Sequence, residues 1–329
     1  MTALYDVAAI GNAIVDVIAP TDDDFLARQH LNKGSMILID QARAEALYSA
    51  MAAGVEMSGG SAGNTIAGLA SFGGKGAFIG KVAADALGEI YTHDMRAQGA
   101  HFPAPPLTGG AATGRCLINV TPDGERTMAT FLGAAGELGP DDVDDAVIEA
   151  SKTIYLEGYL FDPPGARRAF AKAAGLAHGA GRLIALTLSD AFVVDRHRGA
   201  LLGFIEDQVD ILFANEGEIC SLFQTDDFAV AAQALRGKVN IAALTRSAQG
   251  SVVLSADGDH IVAAEPAGKV VDTTGAGDQY AAGFLYGLAR GRSLEVCARL
   301  GGLAAAEVIG HYGPRPEVSL RDLAVSRGL

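Results

Sequence analysis

The chain has 329 residues, of which 49% are hydrophobic and 19% charged, which excludes a disordered protein and allows a sizeable core. Its formal net charge of −14 argues against a nucleic-acid partner, because such binding depends on Lys and Arg that neutralise phosphates. No apolar run is long enough for a membrane span, and the N-terminal run carries Asp6 and Asp16, which is untypical of a signal peptide. We therefore expect a globular protein that binds neither nucleic acid nor membrane.

Short apolar runs rich in β-formers alternate with Ala-rich helical stretches along most of the chain. The predicted helices include 64–73 and 165–181. The predicted strands are 4–10, 76–80, 153–158, 183–188, 209–214 and 240–245. This alternation predicts the α/β class, with a mostly parallel central sheet covered by helices on both faces in three α/β/α layers.

Two regions interrupt that alternation and predict a small β lid. Residues 12–40 and 111–134 each contain two strand-like runs, and the second pair is joined by a T-P-D-G turn. We expect four antiparallel strands in a sheet that projects from the main domain and covers a ligand. The alternative is that they are edge strands of the main sheet. The large α/β domain then comprises 1–11, 41–110 and 135–329.

The cysteines give no sign of a disulfide framework or of a metal site. Cys116, Cys220 and Cys297 are odd in number and far apart, and no CxxC pair is present. The simplest interpretation is a reduced chain in the cytoplasm.

A glycine-rich turn at 58–64, SGGSAGN, precedes an apolar-periodic helix and has two interpretations. Its glycines permit close approach to a ligand, and Asn64 can hydrogen-bond hydroxyl groups. It also contains G-x-S-x-G around Ser61, the nucleophile pattern of α/β-hydrolases, and Asp278 and His311 would complete a Ser–Asp–His order. The serine hydrolase is a remote alternative, because residues 55–57 form a poor strand and the motif at 272–278 would have no purpose.

That second motif, DTTGAGD, lies immediately before an apolar helical face. Gly275, Ala276 and Gly277 would then stand at a helix N-terminus, where free N–H groups and the helix dipole favour an anion. The glycines permit the backbone geometry of a phosphate-binding nest. Asp278 follows in the first turn, where the dipole would keep it ionised and able to accept a proton. This arrangement suits phosphoryl transfer to an alcohol, although a simple helix cap would look the same.

Several motifs in one order, from about residue 4 to 316, resemble the PfkB/ribokinase family of carbohydrate and nucleoside kinases. They are GNAIVD, GGSAGN, the NxxE segment in VDILFANEGE, TRSAQGSVVL and DTTGAGD. The N-terminal segment and the run around 112–135 are most similar to the adenosine kinase branch. The resemblance implies a ribokinase-like fold with a β lid, and an activity that uses ATP and Mg²⁺.

The resemblance also implies roles for individual residues on the substrate side. Asp278 would be the base, Gly275, Ala276 and Gly277 the anion hole, and Arg126 a lid arginine near the transferring phosphate. Tyr159 and Leu160 would form a hydrophobic wall against the nucleobase. The residues that would hold the ribose hydroxyls are Asn12, Asp16, Gly60 and Asn64.

The nucleotide side follows from the same resemblance. Glu218 would position hydrated Mg²⁺ together with Asn215, since Mg²⁺ keeps waters and uses few carboxylates. A monovalent cation such as K⁺ would bind carbonyls near Asp272, Thr274 and Gly313, and residues 304–316 would flank the adenine. The ATP contacts would be Asn215, Thr245, Arg246, Gly250, Thr274, Gly275 and Gly277.

The sequence thus predicts a kinase that transfers phosphate from ATP to the 5′-hydroxyl of a nucleoside, adenosine above all. A ribokinase- or fructokinase-like sugar kinase is the near alternative, and a catalytically silent binding protein is a distant one. The small-molecule substrate and ATP are the expected partners, and the sequence leaves a monomer and a homodimer equally open.

Overall fold

The structure, a computed structural model, describes residues 3–329 and contains two separate β-sheets. The strands are β1 (Tyr5–Ile10), β2 (Ile14–Pro20), β3 (Met36–Leu38), β4 (Val55–Ser58), β5 (Gly76–Ile79), β6 (Thr113–Val120), β7 (Arg126–Gly133), β8 (Ser151–Glu157), β9 (Leu183–Thr187), β10 (Ile211–Asn215), β11 (Ile241–Thr245), β12 (Ser251–Ser255) and β13 (Gly258–Val262). The helices are α1 (Asp23–Arg28), α2 (Gln41–Ala50), α3 (Ser61–Ser71), α4 (Ala86–Ala97), α5 (Asp145–Glu149), α6 (Pro164–Gly179), α7 (Ala191–Gln208), α8 (Glu216–Phe223), α9 (Phe228–Leu235), α10 (Ala276–Ala289), α11 (Leu294–Val308) and α12 (Leu320–Ser326).

The larger sheet has eight strands in the order β13-β12-β11-β10-β9-β8-β1-β5. The six strands from β11 to β5 are parallel, and β12 and β13 add an antiparallel hairpin at one edge. Each predicted main-sheet strand corresponds to one of those six. Side chains alternate between two cores, so Ala8 and Ile10 pack under one helical layer and Val7 and Ala9 under the other. The predicted three-layer α/β/α class is confirmed.

The smaller sheet has five strands in the order β3-β7-β6-β2-β4, so the alternative of edge strands on the main sheet is wrong. The prediction that it is antiparallel holds for β6–β7 and β2–β4 but is wrong for β2–β6 and β3–β7, which are parallel. Adjacent runs in the chain suggested hairpins, whereas β2 and β6 are joined by about ninety residues and enter the sheet in the same direction.

The small sheet also uses more of the chain than the predicted ranges 12–40 and 111–134. Strand β4 comes from 41–110, which was assigned to the large domain. Helix α2 belongs here too, because its Leu47 packs with Val17, Leu117 and Ala129 on the outer face of the sheet. The apolar face of α2 would otherwise have no cover, so residues 41–58 pack with the small sheet rather than with the main one.

No helix within residues 3–329 is long and apolar enough to cross a membrane.

Candidate active site

A cavity of about 990 Å³ lies between the inner face of the small sheet and the carboxyl ends of the parallel strands. Ligands of open α/β sheets characteristically bind at these strand ends. Most of the predicted site residues line this cavity, although they come from distant parts of the chain. They are Asn12, Asp16, Gly60, Asn64, Arg126, Tyr159, Asn215, Glu218, Thr245, Gly250, Thr274, Gly275, Ala276, Gly277 and Asp278. Leu160, Arg246, Asp272 and Gly313 are not among its lining residues.

Asp278 lies in the first turn of α10 and is held by two side chains of α3. Ser61 Oγ donates to Oδ1 at 2.6 Å, and Asn64 Nδ2 donates to Oδ2 at 3.0 Å. Burial raises the pKa of Asp278, while those two hydrogen bonds and the charges of Arg126 and Arg315 lower it. Desolvation therefore outweighs the stabilisation of the ionised form that the helix N-terminus predicted. The carboxylate is fixed in orientation and is more basic than an exposed aspartate.

The two glycines before Asp278 serve different purposes. Gly275 has φ +78°, and a Cβ there would lie 2.6 Å from Pro314, so both backbone conformation and space require glycine. Gly277 is helical, and a Cβ there would meet nothing within 4 Å. The predicted phosphate nest therefore depends on Gly275 for its left-handed backbone, whereas the helical backbone of Gly277 is open to any residue and its missing side chain leaves room in the cavity.

Helix α10 begins at Ala276 with no side chain that caps its amides. The Ala276 amide donates to the Thr273 carbonyl at 3.3 Å, and the next N–H groups of the first turn are available to an anion in the cavity. Arg126 of the small sheet donates from a guanidinium nitrogen to Thr274 Oγ1 at 3.1 Å, next to this helix end. Two sources of positive potential thus meet beside Asp278.

Asn12 and Asp16 form a polar group at the junction of β1 and β2. Asn12 Oδ1 is buried and has no hydrogen-bond partner within residues 3–329. Burial raises the pKa of the nearby Asp16 to about 7, with Arg315 and Arg126 opposing the shift. Gly59 and Gly60 make this approach possible, because a Cβ at either would lie 2.1 Å from Asp16 or from the Asn12 carbonyl. An unsatisfied buried acceptor beside a carboxylate fits a ligand that brings hydroxyl donors.

Tyr159 and Leu160 are consecutive residues within the 3₁₀ turn Gly158–Phe161. Tyr159 lines the cavity, but Leu160 is fully buried in the core between the sheet and α6. Successive residues of a tight turn point in different directions, so the prediction that both form a ligand wall is wrong for Leu160.

The NxxE segment forms a capping box at the start of α8. Asn215 Oδ1 accepts from the Glu218 amide at 2.8 Å, while Asn215 N and Nδ2 donate to the two Glu218 oxygens at 2.9 and 2.7 Å. Burial raises the pKa of Glu218 to about 7. Each carboxylate oxygen keeps a free lone pair, which suits contact with a hydrated Mg²⁺ better than direct ligation. Residues 3–329 contain no group of three His, Cys, Asp or Glu side chains arranged for a metal.

Thr245 and Gly250, two of the predicted ATP contacts, line the cavity, but Arg246 does not. The Arg246 guanidinium forms a two-pronged ion pair with Glu216 at 3.1 and 3.0 Å and lies 4.1 Å from the centre of the Phe228 ring. These contacts satisfy its charge within the protein, so the predicted ATP contact of this side chain is not supported.

The two segments that were predicted to bind a monovalent cation, Asp272 to Thr274 and the loop at Gly313, are joined by the Asp272 carboxylate. It accepts from the Thr274 amide at 2.9 Å and from the Gly313 amide at 3.1 Å. The side chain therefore links the DTTGAGD segment to the loop after α11, and the carbonyl site for K⁺ stays a prediction.

The serine-hydrolase arrangement is absent from residues 3–329. Ser61 donates directly to Asp278, whereas the His311 ring contacts Glu307 and the Tyr312 carbonyl. The strand before the G-x-S-x-G turn is β4, which pairs antiparallel in the small sheet instead of in the parallel sheet that carries the hydrolase elbow. Without a histidine between serine and aspartate there is no base to activate Ser61.

A family model described as the pfkB family of carbohydrate kinases matches residues 6–320. The chain belongs to this family. It is 55% identical to the adenosine kinase from Sinorhizobium meliloti, with 99% of this chain and 100% of that chain covered and a TM-score of 0.96. It is 51% identical to a probable sugar kinase from Rhizobium etli CFN 42, with 99% of each chain covered and a TM-score of 0.97. Adenosine kinase of Saccharomyces cerevisiae is 28% identical over 93% of this chain and 95% of its own length.

As a member of the pfkB family of kinases, the protein is a phosphotransferase.

Two further charged residues, one that lines the cavity and one beside it, were not predicted from the sequence. Glu157 ends β8 and accepts from Asn12 Nδ2 at 2.6 Å and from the Ala62 amide at 2.9 Å. Burial raises the pKa of Glu157 to about 7. A charged residue that ends a buried strand is a signal that could have identified it. Arg315, in the loop after α11, gave no comparable signal.

Proposed function

We propose that this kinase transfers the γ-phosphoryl group of ATP to the 5′-hydroxyl of a nucleoside, with adenosine as the preferred acceptor. The observation that carries the proposal is the contrast between the two walls of the cavity. The main-domain wall, together with Asp16 of the adjoining strand β2, offers buried acceptors and a fixed carboxylate, whereas the rest of the small sheet offers a surface that is apolar apart from Arg126 and a few neutral polar atoms. A nucleoside has this same division between a polar ribose and a flat, largely apolar base.

The apolar wall is built by alternate residues of neighbouring strands. Cys116 and Ile118 of β6 line the cavity, while Leu117 between them packs under α2. The other apolar lining residues of the small sheet are Ile14, Met36, Leu38, Met128 and Leu132. A free pentose or hexose would place hydroxyl groups against these side chains without partners, at a cost of roughly 1–3 kcal/mol for each group. A base would instead remove apolar surface from water.

The polar wall fits the ribose and its 5′-hydroxyl. Asn12 Oδ1 and the Asp16 carboxylate would accept hydrogen bonds from the vicinal 2′- and 3′-hydroxyls. The 5′-hydroxyl would then reach Asp278, whose remaining lone pairs can accept its proton. Ser61 and Asn64 keep that carboxylate in place, which orients the base before the substrate binds.

The transferring phosphoryl group would lie at the start of α10. The amides of Gly275, Ala276 and Gly277 and the guanidinium of Arg126 would stabilise its charge, and the small sheet would exclude water. ATP would extend from there past Asn215, Thr245 and Gly250. A bound Mg²⁺ would neutralise phosphate charge, with Glu218 held by Asn215 in a position to bind its water shell.

The experiment that tests the proposal measures ADP release with ATP and MgCl₂ for a panel of acceptors. The panel contains adenosine, 2′-deoxyadenosine, guanosine, cytidine, ribose and fructose, and phosphorus NMR identifies the phosphorylated position. We expect kcat/KM for adenosine to exceed that for ribose at least about 100-fold, since base burial contributes about 3 kcal/mol. Turnover of sugars without nucleosides would overturn the proposal.

A sugar acceptor is the second candidate, because the Rhizobium etli relative at 51% identity is called a probable sugar kinase. The deoxynucleoside separates the two cases further. If Asn12 and Asp16 bind the diol, removal of the 2′-hydroxyl should raise KM about 10-fold or more and leave the 5′-position as the site of phosphorylation.

A further inference from the structure

The loop that follows α11 contacts the catalytic elements at four points, although none of its residues 313–315 lines the cavity. The Gly313 amide donates to Asp272, and Pro314 lies against Gly275. Gln279, next to the base, donates from one amide nitrogen to the Asn64 carbonyl at 3.0 Å and to the Pro314 carbonyl at 2.9 Å. The fourth contact is made by Arg315. The loop is therefore registered against both α3 and α10.

Arg315 is a partly buried cation whose hydrogen bonds go to neutral groups. Its Nε donates to Asn64 Oδ1 at 3.3 Å, and one terminal nitrogen donates to Ser58 Oγ at 2.8 Å. The other terminal nitrogen lies 3.6 Å from Met95 Sδ. Within residues 3–329, no carboxylate forms an ion pair with it at 4 Å or less. Because a charged side chain is costly to hold in a desolvated site without a charged partner, this placement calls for a function.

The contact with Asn64 determines how that side chain can act. A guanidinium has only donors, so the amide oxygen of Asn64 must face Arg315. A carboxylate has only acceptors, so the amide nitrogen must face Asp278, and it does so at 3.0 Å. We propose that Arg315 is a positioning residue for phosphoryl transfer, which locks the Asn64 amide in the orientation that holds the base Asp278 and withholds the Asn64 oxygen from the substrate.

The charge of Arg315 acts in the same direction as its geometry. It lowers the pKa of Asp278 and that of Asp16, and desolvation lowers its own pKa. Arg126 is the other cation that faces Asp278. The other titratable groups that interact electrostatically with Asp278 are Asp16, Tyr155, Glu157, Tyr159 and Glu218. The carboxylates among them oppose its ionisation when they are charged, and the two arginines offset that repulsion. The two tyrosines are uncharged where Asp278 titrates, because their pKa values are raised above the ordinary value.

The inference rests on the proposed function only for the chemistry that Asp278 performs, so its first test needs no substrate. The pKa of Asp278 is measured by ¹³C NMR titration of the carboxyl carbon, assigned with Asp278→Asn. In Arg315→Met we expect the pKa to rise by about one pH unit. In Arg315→Lys, which keeps the charge, it should stay within a few tenths of the wild-type value. An unchanged pKa in Arg315→Met would overturn the inference, even if no nucleoside were turned over.

The second test separates positioning from a merely structural role. We expect kcat to fall about 10-fold or more in both Arg315→Met and Arg315→Lys with little change in KM. Methionine has no donors, and a lysine ammonium group cannot reproduce the planar arrangement of donors with which the guanidinium contacts Asn64 and Ser58. Combined with Asn64→Ala, Arg315→Met should add little further loss, since both act through one hydrogen-bonded unit. Full additivity would contradict the relay through Asn64.

Ser58→Ala is the matched control, because it removes another partner of the same guanidinium and leaves the Asn64 contact in place. We expect its kcat and the pKa of Asp278 to stay close to those of the wild type. A loss as large as that of Arg315→Lys would show that the arginine supports the fold around β4 rather than the base. If Arg315→Met does not fold, Arg315→Lys and its double variant with Asn64→Ala still decide between the two roles.

Discussion

The two walls of the cavity differ in what they contribute and in what they cost. The first wall, formed by the main domain together with Asp16 of β2 at the junction of the two sheets, collects four carboxyl groups, Asp16, Glu157, Glu218 and Asp278, and burial raises the pKa of each. The second wall, formed by the rest of the small sheet, is apolar apart from Arg126 and a few neutral polar atoms. In the proposed function the first wall carries out the proton and phosphoryl chemistry, and the second contacts an apolar part of the substrate.

The difference shows how one site can separate rate from selectivity. Closely spaced acids are expensive to bury, so the fold holds them only where hydrogen bonds such as those of Glu157 to Asn12 and Ala62 offset part of the cost. The apolar part of the small sheet has no such cost. Changes to Asp278 and the groups that hold it should therefore alter kcat and pH dependence, and changes to the apolar surface should alter KM.

The largest effect is expected from Asp278→Asn. The amide cannot accept the hydroxyl proton, although it keeps the size of the side chain, so we expect kcat to fall about 1,000-fold with KM changed less than about 3-fold. The measurement is steady-state ADP release with adenosine. Asp24→Asn, on the exposed first turn of α1, is the control and should be as active as the wild type. Full activity of Asp278→Asn would mean that Asp278 is not the catalytic base.

Arg126 is a charged exception in the second wall. It belongs to the small sheet, but its guanidinium donates to Thr274 beside the start of α10. In Arg126→Met we expect kcat to fall about 100-fold, as is typical when a donor to a developing charge is removed. KM for adenosine should change little, which would distinguish it from its apolar neighbours. Loss of nucleoside affinity without loss of kcat would mean that Arg126 contributes to substrate binding, as its apolar neighbours do, rather than to phosphoryl transfer.

Leu38→Asn tests the apolar wall where folding is least at risk, because Leu38 is 47% exposed on the edge strand β3. Loss of its contact with a base should raise KM for adenosine about 10-fold, a change of about 1.4 kcal/mol, and leave kcat unaffected. Leu4→Asn is the control, since Leu4 is 56% exposed and does not line the cavity. A parallel rise in KM for ribose would show that the wall does not discriminate by the base.

The sequence predicted most of the first wall and little of the second. Hydrophobic periodicity located the six parallel strands, and motif order located the residues at their carboxyl ends. It could not show that β2 and β6 are parallel, because pairing direction depends on how distant segments meet. For the same reason Val55–Ser58 could not be assigned to the small sheet before its pairing with β2 was known.

Individual errors have equally local causes. Leu160 and Arg246 lie in matching motifs, but a 3₁₀ turn buries the first and Glu216 and Phe228 hold the second. Glu157 and Arg315 were missed because their roles depend on which side chains they contact across the chain. Motif spacing identifies residues that touch a ligand more readily than residues that hold those residues in place.

The smallest effect concerns stability and tests the cost of the first wall. Burial raises the pKa of Asp16 from its ordinary value of 3.8 to about 7 in the folded protein. A group with a raised pKa stabilises the fold below its unfolded pKa, and this contribution is lost as the pH rises through the folded value. Asp16→Asn removes that loss. We expect the apoprotein variant to gain on the order of 1–3 kcal/mol in free energy of unfolding at pH 8 and much less at pH 4.5.

Urea unfolding of the apoprotein at the two pH values measures this difference, with Asp24→Asn as the exposed control. The gain should come with a higher KM for nucleosides, because an amide cannot accept from both hydroxyls as the carboxylate does. An equal gain at both pH values would mean that the effect is packing rather than ionisation. A loss of stability at pH 8 would mean that Asp16 is paired by Arg315 and Arg126 strongly enough to repay its burial, and the first wall would then not be strained at this position.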